Sequence, residues 1–207
     1  MNAIAMLMPL ADEQSVMLAA FGTPLGTMHV ASVPAGVCAV AFDDRRDALE
    51  PRLRRMFGTF QAFERGDPLD AGARLDAYFA GELDALRDVP RATPATPMQR
   101  RVWALVLAIA AGTTTTYAAL ASRLGMPRAQ RAVGVCLASN PLPLFVPCHR
   151  VVAASGALAG HPGGDMRKRW LLRHEGAPLQ PARASRHARD TLDPAEIVHL
   201  VLPRTAP

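Results

Sequence analysis

Asn140-Pro141-Leu142-Pro143-Leu144-Phe145-Val146-Pro147-Cys148-His149-Arg150-Val151-Val152 is the stretch on which the rest of the chain depends. Three prolines bracket a short apolar run that delivers a cysteine directly beside a histidine and an arginine. Proline fixes φ and restricts the residue before it, so Pro147 holds the approach to Cys148 stiff and extended. A thiol is a useful nucleophile as a thiolate, and neighbouring basic or cationic groups favour that form. Pro-Cys-His-Arg therefore supplies a nucleophile, a candidate base and a fixed positive charge in consecutive positions. A cysteine in an apolar segment is more often plain core, and adjacent side chains diverge, so the tetrapeptide needs its context.

Working outward, short strands are expected at Val16–Phe21, Thr27–Val33 and Val37–Phe42, separated by Gly22-Thr-Pro-Leu-Gly26 and Pro34-Ala-Gly36. Helical spacing of apolar residues follows over Arg45–Phe57 and over Ala71–Phe79, where Leu75, Tyr78 and Phe79 share a face. Strands followed by helices point to a small α+β domain. Arg87–Pro97 is rich in proline and threonine and reads as a linker, with a boundary near residue 93. Beyond it, Pro97–Ala111 is a helix by pattern, stopped by Gly112, with Trp103 in the core. Thr114–Leu124 and Arg128–Ser139, joined by Gly125-Met126-Pro127, have the form of a helix-turn-helix, a unit also common in bundles that bind no DNA. Gly160-His161-Pro162-Gly163-Gly164 is a turn-rich loop before a last helix at Met166–His174. Residues 1–14 read as an extension, 15–92 and 93–177 as two domains, and 178–207 as an arginine- and proline-rich tail. Asp193-Pro194 within that tail looks like a short helix start.

The composition narrows the class. In 207 residues, half of them hydrophobic, no apolar run reaches the ~18 residues of a membrane span, and the first residues lack the features of a signal peptide. Cys38, Cys136 and Cys148 are too few and scattered for a disulfide framework, which points to a reduced, cytoplasmic compartment. No His/Cys spacing suits structural zinc, and His29 reads as ordinary packing. The formal charge is +5, carried almost wholly by arginine because Lys168 is the only lysine. A planar fork of donors suits phosphate, so the balance is compatible with nucleic acid, although a GC-rich genome would give the same bias.

Ordered motifs across the second half resemble the O6-alkylguanine-DNA alkyltransferases, also called methylated-DNA–protein-cysteine methyltransferases. They are Gln99-Arg-Arg-Val-Trp103, Thr115-Thr-Tyr-Ala-Ala-Leu-Ala121, Arg131-Ala-Val-Gly134, Asn140-Pro141, Pro147-Cys-His-Arg-Val-Val152, Gly163-Gly164 and Trp170-Leu-Leu-Arg-His-Glu-Gly176. The likeness is dense from Thr96 to Gly176 and weaker upstream. It implies an α+β protein with a small, non-catalytic ribonuclease-H-like N-terminal domain. The implied C-terminal domain is mainly helical, winged-helix-like, and carries the helix-turn-helix and the reactive cysteine. The implied reaction is direct, single-use repair: Cys148 takes the alkyl group from O6 of a flipped-out guanine, and less well from O4-alkylthymine, without a cofactor or metal. The implied partner is alkylated duplex DNA met through the minor groove, with a monomeric protein.

The same resemblance distributes roles. His149 is the base, through a water, oriented by Glu175; Asn140 braces the turn carrying Cys148. Tyr117 crowds the 3′ phosphate and hydrogen-bonds the guanine, and Arg131 fills the gap in the base stack. Arg128, Thr116, Ala132 and Arg150 complete the implied DNA-binding set. The carbonyls of Cys148 and Val151 face the guanine amino group, and Lys168 lies near the pocket. Taken alone, Glu175 would read as a helix-end carboxylate, Arg131 as a solvated helix arginine and Asn140-Pro141 as a simple turn. One departure stands out: His161 occupies a place where the family commonly has tyrosine, and Pro162 one where a backbone N–H is offered to O6. Proline has no N–H, and a lost donor to developing charge can cost on the order of 10²-fold in rate. The competing readings are a lesion-flipping damage sensor without chemistry, a helix-turn-helix regulator and a Cys-His hydrolase. The first is disfavoured by the presence of Cys148; sequence preference on undamaged DNA would mark the second, and multiple turnovers the third.

Overall fold

A computed structural model describes residues 14–64, 67, 69–158 and 161–178, and the fold is mixed α+β. The expected extension up to residue 13, Gly160 of the glycine-rich loop, and the tail from 179 with its Asp193-Pro194 helix start lie outside the described residues.

Strands β1 (Gln14–Phe21), β2 (Met28–Val33) and β3 (Gly36–Phe42) form an antiparallel meander, close to the expected ranges. A fourth strand, β4 (Phe60–Phe63), joins parallel to β1, giving the order β3-β2-β1-β4. It is not among the expected strands, because it is four residues long and mostly exposed, with no buried face to mark it. Every residue of β3 is buried, since both faces of the strand are covered. Asp43–Ala48 form a 3-10 segment leading into α1 (Leu49–Phe57), so the helix expected from Arg45 begins four positions later. Helix α2 (Ala71–Phe79) has the expected bounds.

The expected linker is not a free tether. Its residues 90–92 run beside β3: Val37 N–H donates to the Pro90 carbonyl at 2.9 Å and Ala92 N–H to the Val37 carbonyl at 2.8 Å. A side chain at Gly36 could not fit, because its Cβ would lie 2.6 Å from the Pro90 carbonyl carbon. Arg91 is buried and its guanidinium donates to the carbonyls of Leu86, Arg87, Val89 and Phe145. What composition marks as polar spacer is thus held by backbone pairing and one arginine reading carbonyls.

Helix α3 (Pro97–Leu107) opens with a capping box between Thr96 and Gln99 and has Pro97 in its first turn. It ends at Leu107, before the expected Ala111, and the Ile109 carbonyl just beyond accepts from the Arg150 side chain at 2.6 Å. Strand β5 (Thr115–Thr116) precedes α4 (Tyr117–Arg123), and after the Gly125-Met126-Pro127 turn comes α5 (Gln130–Ala138), two short helices joined where the sequence expects them. The proline-rich stretch then leads to β6 (Val151–Val152), parallel to β5, and α6 (Asp165–His174) closes the described fold.

One hydrophobic core runs through both halves, joining Met28, Val40, Phe42, Leu75 and Tyr78 to Trp103, Val106, Leu137, Phe145 and Leu171. The β3 edge also holds the cysteine-bearing stretch directly, with Val40 N–H donating to the Pro141 carbonyl at 2.7 Å. Among the described residues no helix is long and apolar enough to cross a membrane.

Candidate active site

The approach to the thiol is a buried, strained loop. All residues from Pro141 to Arg150 are buried. Leu144 takes a φ of 70°, left-handed for an L residue, at a cost on the order of 1–2 kcal/mol that the surrounding packing must offset. Asn140 staples this loop from inside: its Nδ2 donates to the Val146 carbonyl at 3.0 Å and to Cys148 Sγ at 3.2 Å, while its Oδ1 accepts from Leu142 N–H at 2.9 Å.

Cys148–Arg150 form a single 3-10 turn. Successive side chains in such a turn leave the axis roughly 120° apart, so Cys148, His149 and Arg150 point in three directions. His149 Nε2 lies 2.9 Å from Glu175 Oε1. Arg150 serves the same carboxylate, with Nε on Oε2 at 2.9 Å and Nη2 on Oε1 at 2.8 Å. The Tyr78 hydroxyl donates to Oε1 from α2 at 2.8 Å. Gly112, with a φ of 74°, makes room for this end of α6, since a Cβ there would lie 2.9 Å from the Glu175 carbonyl oxygen.

An ionised Glu175 only accepts, so the ring proton of His149 belongs on Nε2 and Nδ1 carries the lone pair. Nδ1 is buried and has no hydrogen-bond partner among the described residues. His149 does not touch the sulfur; the imidazole that does is His161, whose Nδ1 lies 3.5 Å from Cys148 Sγ. The two rings meet edge to face, with centroids 6.2 Å apart. Lys168, fully buried on α6, donates from Nζ to the Val151 carbonyl at 2.7 Å. Tyr117 enters from the other side because the β5–β6 pairing of Thr116 with Val152 fixes the start of α4 against the cysteine turn. Its ring lies over α5, 3.9 Å from where a Cβ on Gly134 would stand.

Burial dominates the titration of these groups. It pushes the Cys148 thiol up to about 11, against the Asn140 hydrogen bond and the nearby Lys168 charge. It lowers His149 despite Glu175, and it lowers His161 well below the usual imidazole value, helped by His149, Lys168 and Arg167. Lys168 is lowered by burial, opposed by Cys148 and Asp165. Tyr117 is raised by burial and by Cys148 and Asp165. For Glu175, burial alone would raise the carboxyl, but the hydrogen bonds and charges of His149 and Arg150 hold it far below the carboxylate range. The resting site therefore holds a neutral thiol, two neutral imidazoles and a permanent carboxylate, so a proton must move before the sulfur attacks.

Cys148, Asn140, His149, His161, Lys168, Val151 and Glu175 converge as one buried cluster, with Tyr117 at its edge. Arg128, before α5, and Arg131 and Ala132, on it, are exposed, while the Thr116 hydroxyl caps α4 by accepting from Ala119 N–H at 3.1 Å. Arg150 corrects an expectation: it is buried and its guanidinium is spent on Glu175 and Ile109, so it does not face DNA. Pro162 is half-buried beside His161. Tyr78 is a site residue that the sequence hides, because its spacing with Leu75 and Phe79 signals only a core face and nothing local announces Glu175. Among the described residues no cluster of three or more His, Cys, Asp or Glu could hold a metal ion.

Fold and site together define a class: an α+β protein in which an asparagine braces a buried thiol and the next residue is a histidine paired with a glutamate. Residues 97–177 match the family model described as 6-O-methylguanine DNA methyltransferase, DNA binding domain. The methylated-DNA–protein-cysteine methyltransferase of Salmonella typhimurium is 40% identical over 164 residues, 74% of this chain and 92% of the relative. That of Methanosarcina acetivorans is 36% identical over 159 residues, 77% and 97% of the two chains. The crystal structure of Mycobacterium tuberculosis O6-methylguanine methyltransferase superposes with a TM-score of 0.66 at 35% identity, covering 81% of this chain and 96% of that one. The same protein solved in complex with DNA gives 0.66 at 34% identity, covering 79% and 96%. The chain belongs to the methylated-DNA–protein-cysteine methyltransferase family.

Proposed function

We propose that this protein repairs alkylated DNA by moving the alkyl group from O6 of guanine irreversibly onto Cys148. The observation that carries the reading is the buried thiol held by Asn140 beside a histidine whose free nitrogen is Nδ1. His149 Nδ1 takes the Sγ proton through a water, because the 3-10 turn directs the two side chains apart. Glu175 holds the ring in the Nε2–H tautomer and stabilises the imidazolium that forms. The Sγ lone pair then attacks the alkyl carbon; the S–C bond forms as the C–O bond breaks, and the electron pair passes to O6. The guanine takes up one proton, relayed by the Tyr117 hydroxyl, balancing the one lost by the thiol, and better charge relief at the base makes it a better leaving group. The thioether has no route back to a thiol, so each molecule acts once.

A base inside a duplex cannot reach a buried sulfur, so the nucleotide is flipped out. Arg131 fills the vacated stack, with Arg128, Thr116, Ala132 and Tyr117 against the backbone of the minor groove. Lys168 keeps the Val151 carbonyl directed at the guanine amino group through its 2.7 Å hydrogen bond. In this reading the N-terminal sheet and helices are a ribonuclease-H-like domain, the C-terminal helices are winged-helix-like, and a monomer binds. O4-alkylthymine is the poorer substrate.

Intact-mass measurement after mixing the protein with a duplex containing O6-methylguanine tests this. One methyl gained per molecule, then no more, and none with Cys148→Ala, is the expected result. Tight lesion binding without mass gain would replace the reading with a damage sensor.

A further inference from the structure

We infer that His161 acts as a neutral hydrogen-bond donor to the Cys148 sulfur, forming with Asn140 a two-donor cradle that stabilises the thiolate. Its consequence for repair rests on the alkyl-transfer reading of Cys148 above.

Two donors have access to the sulfur, Asn140 Nδ2 at 3.2 Å and His161 Nδ1 at 3.5 Å. What decides the direction of the second contact is the far edge of the His161 ring. Its Nε2 is buried and has no hydrogen-bond partner among the described residues. The Phe42 ring stands near that edge: a Cβ on Gly163 would lie 2.9 Å from Phe42 Cε2 and 3.1 Å from His161 Nε2. Phe42 is in turn covered by the Arg167 guanidinium, 4.1 Å from the ring centroid. A neutral imidazole has a single N–H. On Nε2 it would be an orphaned buried donor, a costly and rare arrangement. On Nδ1 it meets the polarisable sulfur. The Nδ1–H tautomer therefore leaves only a bare ring nitrogen near the Phe42 ring.

The charges around the ring support a neutral donor over a second base. His161 faces His149 across the edge-to-face contact, and Lys168 and Arg167 from α6, all of them cationic or potentially so. A proton taken by His161 would make a buried imidazolium among them. The thiolate has opposite needs: burial disfavours it, Lys168 attracts it, and Asn140 and His161 donate to it. A hydrogen bond to a charged acceptor is stronger than to a neutral one, so both contacts tighten when the proton leaves for His149. Pro162, which can offer no N–H, follows His161 directly, so the histidine places a donor in a stretch of loop whose next residue has none.

The test compares His161→Asn with His161→Leu. The two side chains match in size and branching, so access to sulfur is equal, but only asparagine carries an amide N–H near the position of Nδ1. Thiolate availability is read without DNA, as the rate at which iodoacetamide modifies Cys148, followed by peptide mass at several pH values below the thiol's own titration. Loss of one donor to an anion corresponds to about one pKa unit or more. His161→Leu is expected to react about tenfold more slowly than His161→Asn at each pH, with His161→Asn close to wild type. Equal, strong slowing of both would make His161 a proton acceptor and overturn the inference. Reactivity of both at the wild-type level would reduce His161 to packing and overturn it as well. Thermal melting of each variant excludes unfolding. A protein that shows the expected ranking yet takes no methyl from DNA would retain the cradle and lose the repair reading.

Discussion

The Tyr78 hydroxyl lies 2.8 Å from Glu175 Oε1, although 97 positions separate the two residues. The carboxylate that orients the candidate base is therefore held partly from the N-terminal half, which the resemblance left without a catalytic part. Tyr78→Phe removes a hydrogen bond to a charged group without leaving a buried donor. Its unfolding free energy is expected to fall by about 1.5–3 kcal/mol, read from the shift in urea midpoint.

Glu175→Gln does more damage, because Arg150 then becomes a buried cation without a counter-charge. A loss of about 3–5 kcal/mol at neutral pH is expected. The folded carboxyl sits far below its unfolded value, so its stabilisation is present above the unfolded pKa of about 4.3 and fades as pH falls below it. The gap between wild type and Glu175→Gln should hold from pH 7 to about 5 and narrow below, in denaturation curves taken across that range.

His149→Gln is expected to slow single-turnover transfer by about 10²- to 10⁴-fold at neutral pH, the range for loss of a general base. The pH profile gives the sharper reading. Burial lowers His149, so wild type should be nearly flat through neutral and mildly alkaline pH. Without the base, the rate follows thiolate fraction and climbs towards the Cys148 value near 11. Quench-flow rates across this range distinguish a plateau from a slope.

Arg131→Ala should weaken duplex binding and reduce the slope of log K against log salt by about one, if the side chain meets the backbone charge. If it also fills the vacated stack, transfer from a lesion duplex should fall while transfer from the free O6-methylguanine base stays unchanged. Paired rates on the two substrates check this.

How far residues predict structure here depends on the range of their contacts. Helix α2 was legible because Leu75, Tyr78 and Phe79 repeat at helical spacing and need only one core face. The cysteine loop was legible because prolines restrict their own neighbours. Arg91 was not: its composition reads as linker, and only the approach of β3 and the Phe145 carbonyl makes it core. The resemblance puts Arg150 in the DNA-binding set, yet Glu175, 25 positions later, draws it inside. The register with the family puts His161 in the pocket, but its contact with Sγ is set by tertiary packing, which no spacing reveals.

Glu175 also sets an order of events during synthesis. Tyr78, His149 and Arg150 all converge on it, and it follows every one of them out of the ribosome. A nascent chain that has just exposed Cys148 has its nucleophile but neither the counter-charge for Arg150 nor the group that sets the tautomer of His149. Competence arrives with the end of α6, so messages cut short before the Glu175 codon should yield chains that neither repair nor persist.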